Sequence, residues 1–145
     1  DNRFKEIENR IRGSKESVSI HVRRGDFVNH PDFGGIATIE YYKKAIAYIK
    51  QNIKDAEFFC FSNDIEWCQN NLESDIEIID DNNTEKAWRD LCLMSCCRHH
   101  IMSNSSFSWW GTWLSQHADS INICPRRFIK NVETKDVYPE KWVKL

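Results

Sequence analysis

The feature that most constrains the fold is an alternation of short β-rich runs with amphipathic helical runs, in which successive β-rich runs end in polar clusters. "SVSIHV" (Ser17 to Val22) carries a β-branched residue at every second position and has the length of a buried strand. After a loop, "TIEYYKKAIAYIKQNI" places Ile39, Tyr42, Ile46, Ile49 and Ile53 at helical spacing. The pair then recurs. "EFFCFS" reads as a buried strand, "NDIEWCQNNL" as a short helix capped near Asn63 or Asp64, and "IEII" as a strand. Beyond "DDNN" the pattern predicts a helix from about Thr84 to Cys97, a strand in "HHIMS", a helix in "SSFSWWGTWLSQH" and a last strand in "SINIC" before Pro125. Strands alternating with helices in this way predict an α/β fold: a Rossmann-like open parallel sheet with helices on both faces.

No repeat, low-complexity segment or Gly/Ser linker interrupts the pattern, so residues 1–145 read as a single domain preceded by a charged amphipathic helix in "DNRFKEIENR". The tail from Arg126 to Leu145, with Pro139 and Trp142, is expected to pack back onto that domain. A net charge of -2 argues against the clustered basic face that duplex nucleic acid requires. No run approaches the length of a membrane span, and the first residues do not resemble a signal peptide, which points to the cytoplasm or a position peripheral to the membrane. The six cysteines contain no C-x-x-C pair, and several sit in apolar runs such as "FFCFS" and "INICP"; they read as reduced core residues. Zinc at Cys92, Cys96, His99 and His100 would need ligands that straddle a helix and the following strand without a recognised spacing.

The polar clusters follow the strands in order: Arg23 to Asp26 after the first, Ser62 to Asp64 after the second, Asp80 and Asp81 after the third, Ser103 to Ser106 after the fourth. All lie at carboxyl ends, the rim where open α/β sheets bind ligands. "SNSSFSWW" sets Asn104, Ser105 and Ser106 at a helix start, where backbone N–H groups, hydroxyls and the helix dipole favour a phosphate, although a serine there is also an ordinary N-cap. Arg23 and Arg24 on a neighbouring strand end are placed to close on the same anion; the bland alternative is a solvated turn in which Asp26 neutralises one of them. Neither G-x-G-x-x-G nor G-x-x-x-x-G-K-[ST] is present, so a nucleotide would be held another way. The D-I-E triplets at Asp64 to Glu66 and Asp75 to Glu77 make weak metal sites, which leaves the work of a divalent cation to arginine.

Three further positions invite a role. Asp90 lies in a helix that is apolar on nearly every side and is expected to be buried. It either pairs with Arg89, Arg98 or another cation, or accepts N1–H and N2–H of a guanine. His21, on the same strand face as Arg23, is open between a core histidine and a ligand-facing donor. Phe107, Trp109, Trp110 and Trp113 read as core packing along a helix, with Phe107 nearest the ligand.

"HVRRGDF" at 21–27, "FSNDIEWCQNNL" at 61–72 and "DLCLMSCCRHHIMSNSSFSWWGTWLS" at 90–115 together resemble the three motif regions of the alpha-1,2-fucosyltransferases of glycosyltransferase family 11. Their order and spacing match over most of the chain. A similar H-x-R-R-x-D pattern occurs in the alpha-1,6-fucosyltransferases. The resemblance implies one half of a GT-B architecture, GDP-L-fucose as donor, transfer to the 2-hydroxyl of a terminal galactoside with inversion, and no cofactor or essential metal. It implies that Arg23 holds the donor phosphates with Arg24 beside it, and that His21 and Asp90 contact the guanosine. Asp64 would be a further nucleoside contact, and Ser105, Ser106 and Phe107 would meet phosphate and fucose. Arg23 and Asp26 are the candidate catalytic groups, Asp26 chiefly by orienting an arginine. Where the alpha-1,6 enzymes carry a lysine after the motif aspartate, this chain has Phe27. Family members also begin with another Rossmann-like half, containing a G-x-L-G-N-Q-like stretch that has no counterpart here, so the chain resembles the carboxyl-terminal, donor-binding half, with the amino-terminal half as its missing partner. A nucleotide-sugar binding module without turnover, a receiver-like regulatory domain and a transferase for another nucleotide sugar are the competing readings.

Overall fold

The structure, a computed structural model, describes residues 1–80, 85, 87–115 and 117–145. Strand β1 (Ser17–Val22) runs through the middle of the sheet, and all six of its residues are buried, as a strand covered on both faces requires. Its neighbours are β2 (Glu57–Ser62) and β4 (His99–Ile101), both parallel to it. Outside β2 lies β3 (Glu77–Ile78), and outside β4 lie β5 (Asn122–Cys124) and β6 (Val143–Lys144), giving the order β3-β2-β1-β4-β5-β6. This is the doubly wound arrangement, with its strand order reversing between β1 and β4.

The helices cover both faces. Alternation along β1 and β2 sends Val18, Ile20, Val22, Phe58 and Cys60 into one core with Tyr41, Tyr42, Ala45, Ile46 and Ile49 of α2 (Ile39–Asn52) and Cys68 of α3 (Ile65–Asn71). Phe59 and Phe61 point the other way, onto Ile7 and Ile11 of α1 (Asn2–Gly13) and Leu93 and Met94 of α4 (Ala87–Cys96). Helix α5 (Ser106–Leu114) lies against α4 at Gly111, where a Cβ would sit 3.2 Å from that of Met94. Capping follows the sequence closely: Thr38 caps α2 and Asp64 caps α3, each accepting a backbone N–H.

Several expectations shift. The expected helix start at Thr84 and the rim residue Asp81 lie outside the described residues. Strand β4 ends at Ile101, and α5 ends at Leu114 rather than continuing through "SQH". "SINIC" is not the last strand. The tail contributes β6, pairing Ile123 with Val143 and Cys124 with Lys144, after its own small core of Met102, Cys124, Tyr138 and Trp142. Trp110 and Trp113 are 51% and 53% exposed rather than core, because the face of α5 against α4 is the one with Gly111, and only Trp109 reaches the tail. Asp90 is half-buried rather than buried, on the first turn of α4. Among the described residues no helix is long and apolar enough to cross a membrane.

Candidate functional site

The strand order reverses between β1 and β4, the place where open α/β sheets form a ligand crevice at the carboxyl rim, and the sequence supplies both lips of that crevice. On the β1 lip the two arginines part company. Arg24 turns toward β2: its backbone N–H donates to Asn63 Oδ1 (2.8 Å) and its carbonyl accepts from Asn63 Nδ2 (3.2 Å). Its guanidinium meets Asp64 Oδ2 at 3.2 Å and lies 4.5 Å from the ring centroid of Trp67. Asp64 is thereby fully engaged, since its other oxygen accepts from Trp67 N at 3.0 Å as the cap of α3. Gly25 makes the turn possible at φ +62, a conformation that other residues rarely adopt.

Arg23 stays at the seam. Nη2 donates to Asp26 Oδ1 at 2.8 Å, and the guanidinium lies 5.0 Å from the centroid of Phe27. Phe27 in turn stacks on Phe33 at 5.0 Å. Arg23 Nε is buried and has no hydrogen-bond partner, an arrangement that a bound oxyanion would complete, since a buried unpaired donor is costly. Asp26, with 68% of its side chain exposed, is the carboxylate that pairs with Arg23, a contact that both an orienting role and a simple solvated turn expect.

The β4 lip is built by "SNSS". Ser103 and His21 face each other, Oγ to Nδ1 at 2.9 Å, and the His21 ring packs against Phe107 with centroids 5.3 Å apart. Burial, and then the Arg23 cation, push the His21 pKa down to about 3, so the ring is neutral near pH 7 and offers one donor and one acceptor. Tyr42 locks the strand beneath by donating its hydroxyl to the His21 carbonyl at 2.8 Å. Ser105 is the N-cap of α5, accepting from Phe107 N at 3.3 Å, and Ser106 is exposed on the first turn. Asn104, expected beside a phosphate, is instead 2% exposed; its amide donates to the carbonyls of Phe33 (3.1 Å) and Phe128 (3.2 Å). It ties the loop after Arg23 to the tail.

The structure therefore brings His21, Arg23, Asp26, Ser105, Ser106 and Phe107 to the β1 and β4 strand ends, holds Arg24 and Asp64 on the β2 side, and sets Asp90 on α4. Sequence reasoning gave no role to Ser103 as the partner of His21, nor to Asn63 and Trp67 as the clamp on Arg24. Strand alternation offered a signal for Ser103, since a buried histidine at a strand end needs a polar neighbour across the seam. His99 and His100 begin β4 at the opposite end of the sheet. Nε2 of His99 contacts Glu16 Oε2 at 2.6 Å while its Nδ1 accepts from Ile121 N, and His100 meets Asn122 and the Met94 carbonyl. With both rings so engaged, they do not assemble with Cys92 and Cys96, and the described residues hold no cluster of three or more metal-binding side chains.

Comparison with known proteins bears on what such a crevice serves. The profile of Glycosyl transferase family 11 matches residues 2–145. The chain belongs to glycosyltransferase family 11. Among the relatives of this family 11 chain, an alpha-1,2-colitosyltransferase of Escherichia coli is 39% identical over 97% of the chain and 51% of its own length. The O-antigen biosynthesis glycosyltransferase WbnK of the same organism is 31% identical, over 89% of the chain and 44% of its own length. A galactoside alpha-(1,2)-fucosyltransferase 1 of Saimiri boliviensis boliviensis is 26% identical, over 87% and 37%. The chain thus spans about half the length, or less, of these curated relatives. No solved structure matches it significantly.

Proposed function

We propose that this family 11 chain holds the donor of a transferase that moves fucose or colitose from a GDP-linked sugar onto the 2-hydroxyl of a terminal galactoside, with inversion and without a metal ion. The observation that carries the reading is the buried, unpartnered Nε of Arg23 at the strand-order reversal, across the seam from the capped start of α5. As GDP departs, negative charge grows on its β-phosphate, and a fixed guanidinium with a helix N-terminus stabilises that charge without reorganising. Asp26 keeps Arg23 aimed, and Arg24, held by Asp64 and Trp67, adds positive potential from the β2 side.

Neutral His21 and Phe107 form an apolar wall with a single polar edge, suited to the sugar or nucleoside beside the phosphates. Asp90 supplies the carboxylate by which guanine is selected over adenine. Attack comes from the opposite face of the sugar, by an acceptor hydroxyl that a general base assists; Asp26 is the one motif carboxylate nominated for that step, and its pairing with Arg23 makes orienting the arginine its chief task. Calorimetric titration with GDP, ADP and UDP tests the reading. GDP should bind at least tenfold more tightly than the other two, and equal affinities would overturn it.

A further inference from the structure

Beyond the crevice, the same rim carries a second concentration of positive charge. Residues 125–142 leave β5 and cross to β6, and they enclose an open cavity of about 520 Å³ whose lining includes Arg126, Arg127, Lys135 and Lys144. Among the described residues Glu133 is the one acidic residue of the lining, and it lies 3.6 Å from Lys135. The charges of Lys135 and Glu133 therefore offset each other, while Arg126 and Arg127 have no side-chain hydrogen bond or ion pair among the described residues. Unpaired neighbouring guanidiniums on one cavity wall repel each other, and an oxyanion between them relieves that repulsion while accepting charge-assisted bonds.

The cavity is fixed at its edges. Arg126 follows β5 directly and its backbone N–H donates to Leu145 O at 3.2 Å. Lys144 Nζ donates to the carbonyls of Pro139 (3.3 Å) and Trp142 (3.1 Å), which holds the ammonium in place. Tyr138, only 7% exposed, is also part of the lining. Phe128, next to Arg127, accepts from Asn104 at 3.2 Å, so this wall joins the β4 lip of the crevice. Adjacent strands lie about 4.8 Å apart, which sets the end of β5 roughly 10 Å from the end of β1 where Arg23 stands. That spacing separates a second ligand group from the first without separating the two sites in the molecule.

We infer that the cavity bounded by Arg126, Arg127 and Lys144 is a second oxyanion site, which takes a phosphate-class group while the crevice at Arg23 is occupied. The group comes either as free phosphate or as a phosphate carried by a sugar; the chemistry of recognition is shared. The site does not depend on the donor proposed above, and its test is built to fail separately.

Inorganic pyrophosphate, inorganic phosphate and galactose 1-phosphate are titrated calorimetrically into the GDP-saturated chain and, without nucleotide, into an Arg23→Ala variant. Pyrophosphate should bind in both settings and bind at least tenfold more weakly after Arg126→Ala with Arg127→Ala. GDP affinity and the melting temperature should stay unchanged in that double variant. Glu133→Gln should tighten binding by removing the competing carboxylate. Tighter binding of galactose 1-phosphate than of inorganic phosphate identifies a sugar phosphate as the natural ligand, and the reverse order identifies the free anion. Pyrophosphate binding that is unaffected by the double substitution, or absent from the Arg23→Ala chain, overturns the inference. Failure of GDP to bind bears only on the donor reading, because the Arg23→Ala titration needs no nucleotide.

Discussion

At the scale of single residues, Arg23 and His21 govern the seam between β1 and β4. Arg23→Lys keeps the charge but loses the planar fork and the stacking on Phe27. GDP affinity should fall by about 1.5–3 kcal/mol, the range for charge-assisted bonds, with the melting temperature nearly unchanged. Calorimetry beside a thermal melt of each protein checks this, and unchanged affinity would return Arg23 to the role of a surface partner for Asp26. His21 has a pH signature. Its pKa is depressed to about 3 by burial and by Arg23, and burial lowers that of His100 to about 4, against an unfolded value near 6.5. A depressed pKa means that the unfolded chain takes up protons first as the pH drops. The stabilising contribution of the neutral rings is therefore whole above about pH 6.5 and is lost as pH falls toward 4, at roughly 1 kcal/mol per pH unit for each ring. Denaturant melts between pH 7 and 4.5 should show this slope, and His21→Asn should make it shallower.

At the scale of elements, the loop between β1 and α2 is the part that a small change would dislodge. Gly34 sits where a Cβ would come within 2.6 Å of the Val28 carbonyl, 2.8 Å of that of Phe27 and 2.9 Å of that of His30. None of these backbone atoms can swing aside. Gly34→Ala should cost about 1–3 kcal/mol and, by moving Phe27 and Phe33 under Arg23, should weaken GDP binding by more than the loss of stability alone predicts; a binding isotherm taken well below the melting temperature separates the two effects. This level of organisation was only partly legible beforehand. Strands β1 and β2 match the sequence reading to the residue, because the alternating β-branched run SVSIHV and the apolar run FFCF within EFFCFS are each followed at once by a polar cluster. Helix α5 is apolar almost all the way round, so periodicity could not choose its buried face, and Trp110 and Trp113 were assigned to the wrong side. The two residues of β6 carry no periodic signal; only pairing with β5 makes them a strand. Asn104 misled for a related reason, since an asparagine at a helix start looks the same whether it binds a ligand or bridges two segments.

At the scale of the whole molecule, one sheet and one rim carry the entire donor proposal, while the chain covers only about half the length of its relatives. The 145-residue chain should therefore bind GDP yet transfer fucose to a galactoside at least a hundredfold more slowly than a full-length family 11 enzyme, because positioning of the acceptor supplies a large share of the rate. A radiolabelled transfer assay measures this, and comparable turnover would overturn it. The general fold class and the strand-end placement of the charged motifs were legible because the βα pattern fixes which ends of the strands face together. The divergence of Arg23 from Arg24 was not, because it depends on Asn63 and Trp67 across a neighbouring strand.

Asn104 also sets the order in which the site is finished. Its amide reaches back 71 residues to Phe33 and forward 24 residues to Phe128. During synthesis at roughly 5–20 residues per second, the loop beneath Arg23 emerges before Asn104 and then waits for its far anchor, which arrives on the order of seconds after Asn104 itself. Through that interval the ribosome-bound chain holds a central strand with its arginines exposed and no tail to fasten the loop. The crevice is completed only once Phe128 has emerged, so a nascent chain stalled before Phe128 should have most of its core and little of its affinity for nucleotide.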